Sequence, residues 1–197
     1  MWEGLATRLE GRSVVLEPIA PAHERGLFTA AQDMDWRFMF CDASRSPEIF
    51  HVWLEHAIER TVAGDQVVFS TLDAATGKPL GSTRYMALRP EHRGLEIGWT
   101  WLTRPAWGTG ANREAKLLQL EHAFERMGCM RVEFKTDAEN ARSRRALEAL
   151  PSRFEGVLRK HMLVGDDRTH VRDSAYYSIV DDGWPEVRAN IERRLRR

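Results

Sequence analysis

The sequence has few cysteines, no net charge and no long apolar run, and each absence excludes a class of protein. Cys41 and Cys129 are the only cysteines among 197 residues, so we expect neither a disulfide framework nor a structural zinc site. Lys plus Arg and Asp plus Glu number 29 each, which gives a formal net charge of zero. The long-range field that draws basic proteins onto nucleic acid is therefore missing. We expect no metal centre and no nucleic-acid partner.

Membrane and secretory features are also missing from the sequence. No apolar stretch approaches the roughly 18 residues of a membrane-spanning helix, and residues 1–4 do not begin a basic segment followed by an apolar one. These features predict a cytoplasmic protein with no membrane partner. Because no low-complexity linker divides the chain, the sequence predicts a single domain over residues 1–197.

Hydrophobic periodicity predicts an α+β protein with a mixed sheet. Period-two segments predict strands at residues 13–19, 66–73, 78–88, 95–102, 129–137, 153–159 and 174–180. Segments with apolar residues three and four apart predict helices at residues 21–32, 47–63, 111–127, 140–150 and 183–195. In the strand of residues 95–102, the alternation predicts that Leu95, Ile97, Trp99 and Trp101 share one face.

A glycine-rich turn, Gly108-Thr109-Gly110, follows this strand and leads into a helix. Glycines let the backbone approach a ligand closely, and the first amides of a helix carry partial positive charge that suits phosphate oxygens. A P-loop would continue with Gly-Lys-Ser/Thr, but Ala111 and Asn112 follow. A dinucleotide-binding fingerprint would have Gly or Ala where Arg113 stands. Coenzyme A is the third ligand class that such a turn can hold.

The segment Pro105-Ala106-Trp107-Gly108-Thr109-Gly110 resembles the Q/R-x-x-G-x-G/A signature of the GCN5-related N-acetyltransferases, with Pro105 at the first position. The segment Asn140-Ala141-Arg142-Ser143 and the element order over residues 13–180 resemble the same family, especially its RimJ/RimL-like branch, which acetylates N-termini of ribosomal proteins. The resemblance implies a mostly antiparallel sheet of about six to seven strands, splayed at its centre and flanked by helices. It also implies acetyl-CoA as co-substrate and an amine as acceptor.

The resemblance further implies which residues hold acetyl-CoA. Main-chain groups of residues 101–103 are expected to pair with the pantetheine arm, and amides of residues 108–113 with the pyrophosphate. Arg104 and Arg113 are expected to add positive charge. The full set of expected cofactor-binding residues is Trp101, Leu102, Thr103, Arg104, Trp107, Gly108, Thr109, Gly110, Ala111, Asn112, Arg113, Asn140 and Ser143.

Direct acetyl transfer needs a neutral amine, stabilisation of an oxyanion and a proton for the departing thiolate. Glu96 is the first candidate for general base, and an ion pair with an arginine of the neighbouring strand is its structural alternative. His161 is the second candidate, with a plain surface histidine as alternative. Leu147 stands where many family members have a tyrosine acid. The resemblance to the RimJ/RimL-like branch implies that Ser143 hydrogen-bonds the leaving thiolate, with a solvent-facing helical serine as its structural alternative. Asn140 is expected to bind pantetheine, to cap the following helix, or both.

The acceptor is the least defined part of the hypothesis. An α-amine titrates near about 8 and a lysine near about 10.4, so an α-amine costs roughly 3 kcal/mol less to deprotonate at neutral pH. This difference slightly favours a protein N-terminus over a small-molecule amine, which would be an amino-acid-like metabolite or an antibiotic. Residues 33–46, residues 173–180 and the second subunit of a homodimer are expected to build the acceptor pocket, where either Tyr176 or Tyr177 can face the cleft. A sensor that binds acyl-CoA without turnover is the non-enzymatic alternative.

Overall fold

One sheet with helices on both faces forms the protein. The computed structural model describes residues 2–196. In that range the strands are β1 (Leu9–Glu10), β2 (Val14–Pro18), β3 (Val67–Asp73), β4 (Pro79–Arg89), β5 (Gly94–Leu102), β6 (Arg131–Asp137), β7 (Arg153–Val164) and β8 (His170–Val180). The helices are α1 (Glu24–Ala31), α2 (Pro47–Ala63), α3 (Ala111–Glu121), α4 (Ala141–Glu148) and α5 (Trp184–Leu195). The predicted α+β class is confirmed.

The eight strands lie in the order β1-β2-β3-β4-β5-β6-β8-β7. Every neighbouring pair is antiparallel except β5 and β6, so the predicted mixed, mostly antiparallel sheet is confirmed. The predicted count of six to seven strands was too low, because Leu9 and Glu10 form a strand too short to show an alternating pattern. Strands β7 and β8 are also longer than predicted.

Strands β5 and β6 lie side by side only where they begin. They pair in parallel over Gly94–Glu96 and Arg131–Glu133, and the pairing ends there. Beyond this point β5 continues along β4, while β6 continues along β8 as far as Asp137. The two strands therefore diverge, and the expected splay at the centre of the sheet is confirmed.

A bulge at Trp99 exchanges the two faces of β5. Trp99 has φ of 48°, and the pairing of β5 with β4 shifts at this point. Leu95 and Ile97 pack in the core under α3 and α5, whereas Trp101 packs on the opposite face against α1 and α2. The prediction that these residues share one face was wrong, because an extra residue in a strand turns every later side chain to the other side.

Local groups mark the ends of α2 and α3. The Ser46 hydroxyl caps α2 by accepting from the Ile49 amide, and Gly64 ends the helix with φ of 78°. Gly110 precedes α3, and a π-helical turn, His122–Arg126, extends that helix. These signals are local in sequence, which explains why they were readable there.

Two further features concern what residues 2–196 do not contain. Within that range no helix is both long and apolar enough to cross a membrane. The same residues offer no group of three or more His, Cys, Asp or Glu side chains that could hold a metal ion. Cys41 and Cys129 are both free thiols.

We expect Gly81→Ala to destabilise the protein, because Gly81 is where β4 lies closest to β5. A Cβ at this position would lie 2.0 Å from the carbonyl oxygen of Trp101, a backbone atom that cannot rotate away. Overpacking costs about 1–3 kcal/mol, and more against a backbone, so the urea midpoint should fall clearly. Gly183→Ala is the control, since a Cβ there meets nothing within 4 Å. Equal midpoints for the two variants would contradict the expectation.

Candidate functional site

A cavity of about 370 Å³ lies where β5 and β6 diverge. Both strands, the glycine turn, the start of α3, one side of α4 and residues 34–40 form its walls. The predicted site residues that line it are Glu96, Trp101, Leu102, Trp107, Gly108, Gly110, Asn112, Arg113, Asn140 and Ser143. The predicted site residues outside the lining are Thr103, Arg104, Thr109, Ala111 and His161.

Glu96 is the last residue of β5 that pairs with β6. Its side chain is buried and lines the cavity, and its Oε2 accepts a hydrogen bond from Lys135 Nζ at 3.0 Å. Burial raises the pKa of Glu96, while the nearby Lys135 ammonium acts in the opposite direction. The expected ion pair with the neighbouring strand exists, but its partner is a lysine rather than an arginine. Both charged groups face the cavity.

Gly98 leaves the space in which the Glu96 carboxylate lies. A Cβ on Gly98 would be 2.9 Å from Glu96 Oε1 and 2.9 Å from Met86 Sδ. Because both contacts are far tighter than normal, even alanine would displace one of these groups. Sequence reasoning gave Gly98 no role, and only the fold reveals this one.

The glycine turn has the backbone that its sequence predicts. Gly108 and Gly110 have φ of 77° and 94°, values that other residues adopt with strain. The Thr109 hydroxyl donates to the Ala106 carbonyl at 2.8 Å and accepts from the Ala111 amide at 3.3 Å. Thr109 and Ala111 therefore stabilise the turn itself, whereas the two glycines line the cavity.

Some main-chain groups at the end of β5 already have hydrogen-bond partners within the protein. The Thr103 amide donates to the Leu80 carbonyl at 2.8 Å, so it belongs to the sheet and is not free for a ligand. The Leu102 carbonyl accepts from Trp107 Nε1 at 2.8 Å. A ligand that pairs with this part of β5 must use the remaining groups or displace the Trp107 indole.

The cationic groups at the cavity differ from the expected ones. Arg104 donates to the Asp33 carbonyl at 3.0 Å, which ties the turn to the segment that follows α1. Arg113 lines the cavity and also donates at 3.2 Å to a carbonyl near the end of α5. Arg142 of α4 lines the cavity with its guanidinium carbon 3.8 Å from the ring centre of Trp107.

Residues at the start of α4 combine structural and cavity-facing roles. The Asn140 side chain caps α4, since its Oδ1 accepts from the Ser143 amide at 3.0 Å. Both residues line the cavity. Within residues 2–196, no group hydrogen-bonds the Ser143 hydroxyl, so it can bond to a ligand.

His161 and the two tyrosines of β8 lie outside the cavity lining. His161 Nδ1 is 3.0 Å from the Ser174 hydroxyl, and its Nε2 is 3.5 Å from the Tyr176 hydroxyl. Burial and nearby positive charges lower the pKa of His161. Tyr177 is fully buried in the core under the helices, and its hydroxyl donates to Glu148 at 3.2 Å. Tyr176 points to the opposite face of β8, where its hydroxyl lies next to His161.

Comparison with known proteins identifies the family. Residues 13–151 match the acetyltransferase (GNAT) domain model. The chain belongs to the GNAT family. It is 27% identical over 122 residues to an uncharacterized N-acetyltransferase p20 of Bacillus licheniformis, an alignment that covers 62% of this chain and 66% of that relative. The chain therefore spans just under two thirds of that curated relative.

Solved GNAT structures share the whole architecture. A GCN5-related N-acetyltransferase from Brucella melitensis superposes with a TM-score of 0.88 at 30% identity, covering 96% of this chain and 86% of that one. A protein of T. thermophilus assigned to the acetyltransferases gives 0.84 at 39% identity, covering 95% and 96%. A ribosomal-protein-S5-alanine acetyltransferase from Vibrio fischeri gives 0.71 at 18% identity, covering 90% and 98%. At that identity the likeness shows the fold alone.

GNAT proteins use acetyl-CoA as co-substrate, and the cleft in this chain fits such a ligand. Past Glu96, the edges of β5 and β6 that face each other have no partner strand, so an extended acyl arm can bond to their free groups. The turn at Gly108–Gly110 and the first turn of α3 offer backbone amides at one end of the same cavity.

Lys116 is a buried charged residue of the GNAT cleft that sequence reasoning missed. It lies on α3 and its ammonium donates to Thr100 Oγ1, Thr83 Oγ1 and Gln119 Oε1 at 2.7, 3.0 and 3.0 Å. No carboxylate within residues 2–196 lies within 4.0 Å of it. Burial lowers the pKa of Lys116 to about 7. The lysine thus joins the helix to the bulged part of β5.

We expect Lys116→Met to stabilise the protein most at low pH. Because the folded-state pKa is about 7 and the ordinary value is 10.5, the unfolded chain binds more protons between these values. The wild-type free energy of unfolding therefore rises with pH between these two pKa values. The Lys116→Met variant has no titrating group here, so its free energy of unfolding lacks this dependence on pH. Thr83 and Thr100 keep the 2.7 Å hydrogen bond between their hydroxyls.

The measurement is urea unfolding of both proteins from about pH 6 to about pH 10, with Lys78→Met on the exposed surface as control. The variant should be more stable than wild type by several kcal/mol near pH 6, and the gap should narrow toward pH 10. A gap that does not change with pH would show that Lys116 does not titrate in this way.

Proposed function

We propose that the chain transfers the acetyl group of acetyl-CoA to an amine by direct attack within a ternary complex. The observation that carries the proposal is that Glu96, Ser143 and the glycine turn, distant in sequence, line one cavity between the diverging strands. Membership of the GNAT family supports acetyl-CoA as the acetyl donor.

In this proposal the cofactor lies along the cleft. The acyl arm takes the position of a missing strand beside the open edge of β5, and the pyrophosphate lies on the amides of residues 108–113. Arg142, which stacks on Trp107 at the cavity wall, adds positive charge there. Arg104 has a lesser part than the sequence suggested, since it is bonded to the segment after α1.

The chemistry assigned to Glu96 is removal of the proton from the attacking amine. The amine nitrogen bonds to the thioester carbonyl carbon, the carbon–sulfur bond breaks, and coenzyme A leaves as a thiolate. The carboxylate takes the amine proton, directly or through water, and the Ser143 hydroxyl hydrogen-bonds the sulfur until a proton reaches it. A carboxylate with a raised pKa is a better base at neutral pH, and burial gives Glu96 that property.

The acceptor in this proposal is an α-amine, with a protein N-terminus slightly preferred because its amine is the easier to deprotonate. A small-molecule amine is the second candidate. It is favoured by the aromatic side chains of Phe38 and Phe40, which help to enclose the cavity.

We expect Glu96→Gln to lower kcat/KM by about 10²- to 10⁴-fold while acetyl-CoA still binds. Only the ionised carboxylate accepts a proton, so the wild-type rate should fall as pH drops through the raised pKa of Glu96. The variant should lack this acidic limb. The measurement is release of free thiol over panels of peptides and small amines.

Glu48→Gln, on the exposed first turn of α2, is the matched control for this substitution. A Glu96→Gln variant with wild-type rate and pH profile would remove Glu96 from the mechanism and leave His161 as the candidate base. Tight binding of acetyl-CoA by the wild type, with no thiol released from any acceptor, would instead favour a sensor.

The cofactor position is tested by Asn112→Asp in the first turn of α3. A negative charge there stabilises a helix by about 0.3–1 kcal/mol but repels a pyrophosphate on the same amides. We therefore expect the melting temperature to hold while acetyl-CoA affinity, measured by calorimetry, falls at least about tenfold. Ile49→Asp puts the same charge in the first turn of α2, outside the cavity lining, and should leave affinity unchanged. Unchanged affinity in both variants would place the pyrophosphate elsewhere.

A further inference from the structure

Arg172 of β8 is a buried cation on the cavity wall that bonds to no carboxylate. The residue is 4% exposed and lines the cavity. Within residues 2–196 no carboxylate lies within 4.0 Å of its guanidinium, and its Nε has no hydrogen-bond partner. Asp137 and Glu96 act on it only from a longer distance: Glu96 bonds to Lys135 at 3.0 Å, and the buried Oδ2 of Asp137 lies 3.5 Å from His170 without a hydrogen bond.

Leaving this guanidinium without an anion is costly. Burying a charge costs several kcal/mol unless a partner compensates it, and arginine cannot avoid the cost by losing its proton at neutral pH. Although burial lowers the pKa of Arg172, a guanidinium begins from so high an ordinary value that the group stays charged at neutral pH. Glu96 and Asp137 compensate the charge only from beyond 4.0 Å, and no group of residues 2–196 bonds to the guanidinium, so a ligand in the cavity can supply the missing hydrogen-bonded partner.

Aromatic rings hold the guanidinium at the cavity wall. The guanidinium carbon of Arg172 lies 5.5 Å from the ring centre of Phe40, and Phe40 stacks on Trp99 with centres 5.0 Å apart. Arg84 also lies over the Trp99 ring, at 4.2 Å. The two stacked rings thus contact one cation each, and the contact with Phe40 holds Arg172 without using its hydrogen-bond donors.

We infer that Arg172 binds a carboxylate of the acceptor, so that the substrates are amines that carry a carboxylate close to the reacting nitrogen. The inference rests on the proposed function and narrows its acceptor. A guanidinium presents two parallel donors that match a carboxylate. One free positive charge close to Glu96 and Asp137 suits a monoanion better than a doubly charged phosphate.

The carboxylate can belong to a free amino acid or to an acidic N-terminal residue of a peptide, and matched pairs of substrates distinguish the two. Free amino acids are compared with their carboxamides, and short peptides that begin with Asp or Glu with those that begin with Asn or Gln. Thiol release should favour the carboxylate member of each pair by about 10- to 100-fold in kcat/KM, as expected for hydrogen bonds to a charged group. The series in which the preference occurs identifies the source as a free amino acid or an acidic N-terminal residue.

Arg172→Met should abolish this preference, mainly through KM, while calorimetry shows unchanged acetyl-CoA affinity. Arg172→Lys keeps the charge but loses the two-donor geometry, so it should retain part of the preference. Arg159→Met removes a guanidinium from the exposed part of β7 and is the control. A wild type without preference, or a preference that survives in Arg172→Met, would overturn the inference.

A binding measurement keeps this test independent of turnover. With coenzyme A present, N-acetyl amino acids should raise the wild-type melting temperature more than their carboxamides do, and Arg172→Met should lose the difference. If no amine releases thiol but this difference is found, the proposed function fails and the carboxylate site stands. If thiol is released equally from both members of each pair and no such difference is found, the proposed function stands and the carboxylate site fails.

Discussion

The parting of β5 and β6 after Glu96 is the constraint on which the site depends. Three residue pairs hold the strands together, and beyond them each strand follows its antiparallel neighbour, so two strand edges face each other without partners. Backbone groups inside a protein need hydrogen-bond partners, and a gap between strands leaves theirs to be supplied by a ligand or water. The sheet is interrupted at its centre, where an extended molecule can complete it.

The bulge at Trp99 gives the same strand a role on both faces of the sheet. Before it, Ile97 points into the core under α3; after it, Trp101 packs with Trp36 and Trp53 on the side of α1 and α2. Lys116 bonds to Thr100 and Thr83 at the bulge, which fixes the helix that begins at the glycine turn against the bulged strand. A few residues of β5 therefore connect the helix at the glycine turn, where we propose that the cofactor binds, with the opposite face of the sheet.

Sequence alone was sufficient for features that depend on nearby residues. The turn at Gly108–Gly110 needs positive φ, Asn140 is a good helix cap, and the order of strands and helices follows from periodicity. Prediction from sequence failed where elements that are distant along the chain come together. An alternating pattern cannot reveal the bulge at Trp99, and Arg172 lies in a polar stretch, residues 170–173, that lacks a strand pattern because part of it faces a cavity. Polar residues that line a cavity interrupt the alternating hydrophobic pattern by which core strands are recognised.

The buried charges around the cavity differ in how each is accommodated, and this difference separates structure from recognition. Glu96 has a lysine partner, so its charge is compensated within the chain. Lys116 has only neutral acceptors, but an ammonium can release its proton, and burial brings its pKa to about 7. A guanidinium cannot release its proton at neutral pH. Arg172 alone of the three keeps a charge for which residues 2–196 offer no hydrogen-bonded partner at Nε and no carboxylate within 4.0 Å. In the proposed reaction, the part of the cavity that faces Arg172 is therefore where the chemistry of the acceptor is most narrowly constrained.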